Sequence, residues 1–153
     1  MTYVDRIRKE KLNIFHIQKE LREMIESKDW TSKFCHNEND KMCTYTESLS
    51  ALKRKVHLSE VGYVSSVFSE DLALGLINNC LAENIAHIAN FLLIDDSSIE
   101  LMGMTDSEIG YIVKKYKTIE ESSYVILSIR KNDKPCNNHS GFFVEYIYPV
   151  KLS

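Results

Sequence analysis

An α+β fold, with a helix-rich N-terminal part packed on a small antiparallel sheet that ends in a C-terminal β-hairpin, is what this sequence predicts. Three observations carry the prediction. Apolar residues recur at helical spacing over the first 25 positions, a long apolar run follows an N-cap signal in the middle, and two short β-branched and aromatic segments flank a string of turn formers near the end. The 153 residues, 44% hydrophobic and 27% charged, fit one soluble globular domain spanning 1–153, with a core large enough to fold without staples. Two prolines and five glycines mark no linker, and the chain has no internal repeat.

Val4, Ile7, Ile14, Ile17, Leu21 and Met24 form one stripe with charged residues between them, which predicts a single long amphipathic helix over 4–25. Glu10 stands where the stripe should continue, and the pattern is too short to specify a coiled coil. Residues 28–46 are polar and aperiodic, a loop with room for a short strand around 42–45. Thr44 and Glu47 have capping-box spacing ahead of Leu49, Leu52 and Val56, which predicts a short helix. "VGYVSSVF" (61–68) reads as a strand.

Ser69 then supplies an N-cap, with Glu70 and Asp71 in the acidic first turn of a helix that enters the apolar run 72–94 and breaks near 78–83. The run is long enough to span a bilayer and has no Lys or Arg. Asn78, Asn79, Glu83, Asn84, His87 and Asn90 would be costly in hydrocarbon, however, so it is expected to be core and not membrane. "IGYIVKKYKTI" (109–119) alternates like a strand, but Thr105, Glu108, Ile109, Ile112, Val113 and Tyr116 describe a capped amphipathic helix, and the helix is the expectation. "YVILSIR" (124–130) and "FFVEYIY" (142–148), joined by "KNDKPCNNHSG", make the hairpin.

The N-terminus has charges scattered where a signal peptide needs an apolar stretch, so a cytoplasmic protein with free thiols at Cys35, Cys43, Cys80 and Cys136 is expected. Cys35, Cys43, Cys136 and His139 sit in two polar loops and are a conceivable zinc set. The eight-residue spacing of Cys35 and Cys43 is not that of a zinc knuckle, and these are expected to be ordinary loops with no metal and no cofactor. Cys80 lies in the apolar run, where a cysteine behaves as a small hydrophobe. Glu83 and His87 share a helical face without a third ligand. Scattered glycines exclude a P-loop or GxGxxG turn, and no GxSxG elbow is present. No enzyme is expected.

The charge pattern is uneven. From Val56 through Val113 there is no Lys or Arg, where proportion would put about 7, and the same stretch carries nine carboxylates. A cation-free acidic surface repels phosphates and steers in a basic partner. The expectation is therefore a non-catalytic interaction module of immunity or antitoxin type that neutralises a basic toxin, such as a nuclease. Its partner contacts would be Glu70, Asp71, Asp95, Asp96 and Glu100. The bland alternative is a core segment whose few charges face water. A second functional class, a small-molecule-sensing regulatory domain, would use the apolar helices and the aromatic residues Phe142, Phe143, Tyr146 and Tyr148 as a pocket. Nucleic-acid binding through "RIRKEK" (6–11) is disfavoured by Glu10, Glu20 and Glu23 on the same helix and by a pI near 6.0.

Overall fold

Thr2 starts the first helix: its hydroxyl accepts from the Asp5 N–H (3.0 Å) while the Asp5 carboxylate accepts from the Thr2 N–H (3.1 Å), a reciprocal capping box that opens α1 (Tyr3–Glu10). The structure is a computed structural model and describes residues 2–27, 43–44, 49–59, 62–115, 118–131 and 141–151. α1 closes at Lys11, which is left-handed at φ 52°, with the Leu12 N–H returning to the Ile7 carbonyl at 3.1 Å. Asn13 then caps α2 (Ile14–Ser27) by accepting from the His16 N–H at 2.9 Å. The single helix expected over 4–25 is thus two. Tyr3 and Ile7 on α1 and Ile17, Leu21 and Ile25 on α2 all reach the core, while Glu10 turns to water and pairs with Arg6 at 2.9 Å.

Glu20 ties the two helices together. It accepts from the Tyr3 hydroxyl, from Arg6 at 2.9 Å and from His16 at 3.0 Å. Partial burial alone would raise its pKa, but the hydrogen bonds from Tyr3, Arg6 and His16 more than offset this and hold it below the ordinary carboxylate value. A depressed folded-state pKa contributes stability that is present above the unfolded value, 4.5, and is lost as pH falls through the folded one. Glu20→Gln is therefore expected to cost about 1 kcal/mol near neutral pH and to flatten the acid limb of a stability–pH curve below that value. Urea unfolding at stepped pH checks both.

The remaining elements are β1 (Cys43–Thr44), α3 (Leu49–Lys55) followed by a 3-10 turn, β2 (Tyr63–Val67), α4 (Glu70–Glu83), α5 (Ile85–Leu93), β3 (Ser98–Met104), β4 (Gly110–Lys114), β5 (Ile119–Ser122), β6 (Tyr124–Lys131) and β7 (Phe142–Val150). The Ser69 hydroxyl caps α4 as expected, accepting from the Leu72 N–H at 3.2 Å. The apolar run breaks at Asn84, just past the expected window, and the Asn84 side chain donates to the Cys80 carbonyl at 2.7 Å. Among the described residues, no helix is long and apolar enough to cross a membrane.

Two sheets result, one of order β1–β7–β6–β3 and one of order β2–β4–β5. β1 runs parallel to β7, and the other pairings are antiparallel. The α+β class and the β6–β7 pairing agree with the sequence. The helix expected over 109–119 does not: residues 110–114 are β4, bonded to β2 on one side and β5 on the other. Its side chains alternate as a strand requires: Val113 and Tyr111 pack with Leu52 and Val56 while Ile112 faces the opposite way, into a cleft described below. A helix would put Ile112 and Val113 on the same side.

The four-stranded sheet buries Leu101, Val125, Leu127, Ile129, Val144 and Ile147 against α1, α2, α4 and α5, with Phe91, Ile77, Leu81 and Ile88 filling the space between. α3 covers the second sheet through Leu52 and Val56. The sheets join at a corner where only Ser123 separates β5 from β6. Ser122 is buried there, and its hydroxyl bonds the Val150 carbonyl. Gly110 lies at the same seam: a Cβ on it would run into the Ser66 carbonyl oxygen and the Pro149 ring.

Candidate partner-binding face

β3 builds the site. Its sequence "SIELMGM" alternates, so Leu101 and Gly103 are buried under the helices while Ser98, Glu100, Met102 and Met104 stand exposed on the opposite, outer face. Gly103 lets α4 come close, since a Cβ there would lie 3.1 Å from Val125 and 3.6 Å from the Cys80 sulfur. On the outer face Met102 is 52% and Met104 67% exposed, and Tyr146 and Tyr148 from β7 lie side by side with ring centroids 5.5 Å apart. Glu100 sits close enough to Tyr148 to act on it: burial raises the phenol pKa, and Glu100, Tyr146 and Tyr63 add to the rise.

The second sheet leans over this face and leaves a cleft of about 330 Å³. Its walls are apolar, from Tyr63, Met102, Ile112, Ile126 and Val150, and Lys114 and Lys151 stand at its margin. Glu120 holds both ammonium groups, at 3.3 Å to Lys114 and 3.1 Å to Lys151, and Lys151 above all draws its pKa down. The cations at the cleft are therefore already paired.

Three of the five proposed contact residues belong to this region. Asp95 and Asp96 are exposed in the turn that leads into β3, and Glu100 lies on β3 itself. Asp106 and Glu108, also exposed, follow the strand, so carboxylates bracket it at both ends. Glu70 and Asp71 are placed elsewhere, in the first turn of α4, on the helical side of the sheet. Beside the turn stands Lys131, whose ammonium donates to the Ile94 carbonyl and lies 5.1 Å from the centre of the Phe91 ring. Burial lowers its pKa, with Asp95 and Asp96 opposing that and Arg8 adding to it. Arg130, next in the sheet, is paired with Glu145 at 3.2 Å.

The thiols offer less. Cys35, Cys136 and His139 lie outside the described residues, and Cys43 is placed only as part of β1. Cys80 is buried, and burial together with Glu83 pushes its thiol up to about 11, which leaves it protonated and a poor nucleophile at neutral pH. Glu83 and His87 fall on different helices, both exposed, on either side of Asn84. Among the described residues, no three His, Cys, Asp or Glu side chains converge as a metal site. Phe142, one of the aromatics of the sensor alternative, is buried in the core. Sequence reading missed Tyr63, Met102 and Met104, although the alternation of "SIELMGM" carried the signal for the last two.

No protein-family model matches the chain, and no curated protein does. Its fold is similar to that of a chain in the crystal structure of the CdiA-CT/CdiI complex from Y. kristensenii 33638, with a TM-score of 0.62 and 17% identity over 69% of this chain and 92% of that one. At that identity the likeness is one of fold.

Proposed function

We propose that this chain is a non-catalytic inhibitor of immunity or antitoxin type, which acts in the bacterial cytoplasm and neutralises a basic toxin-like protein, such as a nuclease, by laying an acidic face over its active site. The observation that carries the reading is the composition of one surface. Exposed Met102 and Met104 and the half-buried Tyr146 and Tyr148 supply apolar contact on and beside β3, and Asp95, Asp96, Glu100, Asp106 and Glu108 supply negative charge around them. Aromatic side chains and methionine are what buried interface cores favour, and a one-signed rim steers encounter with an oppositely charged partner. The same surface would repel nucleic acid. The similarity in fold to a chain of the CdiA-CT/CdiI complex supports the reading.

The test passes lysate of the native host over the immobilised chain at low and high salt. A basic protein retained at low salt and released at high salt, whose own activity is lost on adding one equivalent of this chain, is the expected result. Retention of nothing, or of proteins indifferent to salt, would overturn the proposal.

The cleft favours a second reading, a small-molecule sensor, because about 330 Å³ with apolar walls lies in the range of ligand sites. On that reading a metabolite screen finds a compound that raises the melting temperature, and Ile126→Trp, which fills the cleft, abolishes the shift.

A further inference from the structure

Residues of an antiparallel strand alternate between bonding their neighbour and turning their backbone groups away from it. In β3 the phase is fixed at both ends. The Lys131 N–H donates to the Ser97 carbonyl (2.9 Å) and the Thr105 N–H to the Ser123 carbonyl (3.0 Å), in the register that sets Leu101 opposite Leu127. The odd-numbered residues therefore bond β6, and Ser98, Glu100, Met102 and Met104 aim their N–H and C=O groups out of the sheet. β3 is the last strand in its sheet, and among the described residues no backbone group takes up those donors and acceptors. Several usual guards of an edge are absent from β3: it contains no Lys and no Pro, and its pairing with β6 shows no register shift.

We infer that this edge receives an extended segment of the basic partner as an added strand, an inference that rests on the inhibitor reading above. Main-chain hydrogen bonds to residues 98–104 would supply affinity, and alternate side chains would supply specificity. The charge pattern defines the occupant. A strand with Lys or Arg at alternate positions places cations beside Glu100 on the outer face, with Asp95 and Asp96 at one end and Asp106 and Glu108 at the other. A second copy of this chain fits poorly, because pairing β3 with itself brings two Glu100 side chains and both sets of flanking carboxylates together.

The Met102 N–H faces away from β6, so Met102→Pro removes one edge donor and leaves the ladder intact. In the free chain, amide exchange is expected to be fast at Glu100 and Met102 and slow at Leu101 and Gly103. Saturation with the captured basic protein should slow the first two by about tenfold or more, and Met102→Pro should weaken that complex by about tenfold at an unchanged melting temperature. The inference is overturned if Glu100 and Met102 exchange as fast in the complex as in the free chain, while the inhibitor reading stands on the capture itself. If no basic protein is captured, the inhibitor reading falls, and a seven-residue peptide of alternating Lys and Val decides the edge. Protection of the two amides by that peptide keeps it, and exchange unchanged by the peptide removes it.

Discussion

Alanine at position 110 is expected to cost about 3 kcal/mol of stability, at the upper end for overpacking in a well-filled interior. The reason is what the new methyl would meet. Most overpacked sites relax by turning a side chain, but at Gly110 one neighbour is the Ser66 backbone carbonyl, fixed in the β2–β4 ladder, and the other is the Pro149 ring on β7. Relief therefore means moving one sheet off the other. In a chain of 153 residues the melting temperature should fall by roughly 6–12 °C. Gly75→Ala is the matched control: it sits exposed in α4 with nothing within 4 Å of its would-be Cβ, and alanine there should stabilise by about 0.5–1 kcal/mol. Equal melting temperatures for wild type and Gly110→Ala would mean that the seam is looser than described.

Reversing the charge of Glu70, Asp71, Asp95, Asp96 and Glu100 together should slow association with the basic partner by about 10- to 1,000-fold at low ionic strength, with a smaller loss at high salt. The geometry divides the effect unequally. Lysine at Asp95, Asp96 and Glu100, beside the exposed Met102 and Met104, should account for most of it. Lysine at Glu70 and Asp71, on the helical side, should account for little. Stopped-flow association of the three-site and two-site variants measures the division. Rates unchanged in the five-site variant would remove electrostatics from recognition altogether.

What was legible in the sequence followed local physics. Ser69 announced α4, the apolar run announced buried helices, and the β-branched segments 124–130 and 142–148 announced the central strand pair. Three features were set by partners distant in the chain. Residues 110–114 satisfy a helical pattern as well as a strand pattern, and only pairing with β2 and β5 settles the choice. Lys11 has no Gly-like signature, yet it takes the left-handed turn that splits the first helix, and Glu20 on the second helix folds back to hold Tyr3 and Arg6 on the first. The acidic residues were visible as a count, but their division between the outer face and the helical side depends on which face of the sheet α4 covers.

The parallel pairing of β1 with β7 has a consequence in time. Cys43 lies beside Tyr146, about 100 residues later in the chain, and β7 is an inner strand with β6 on its other side. The four-stranded sheet cannot close until residues 142–150 have left the ribosome, and at roughly 5–20 residues per second the chain needs about 5–20 s to run from β1 to β7. Until then the inward faces of α2, α4 and α5 have only the β3–β6 pair to rest on. Each new molecule thus lacks its finished sheet for a period set by translation, and on the inhibitor reading proposed above the stock of completed copies, not the rate at which new ones are begun, would decide how much partner is bound.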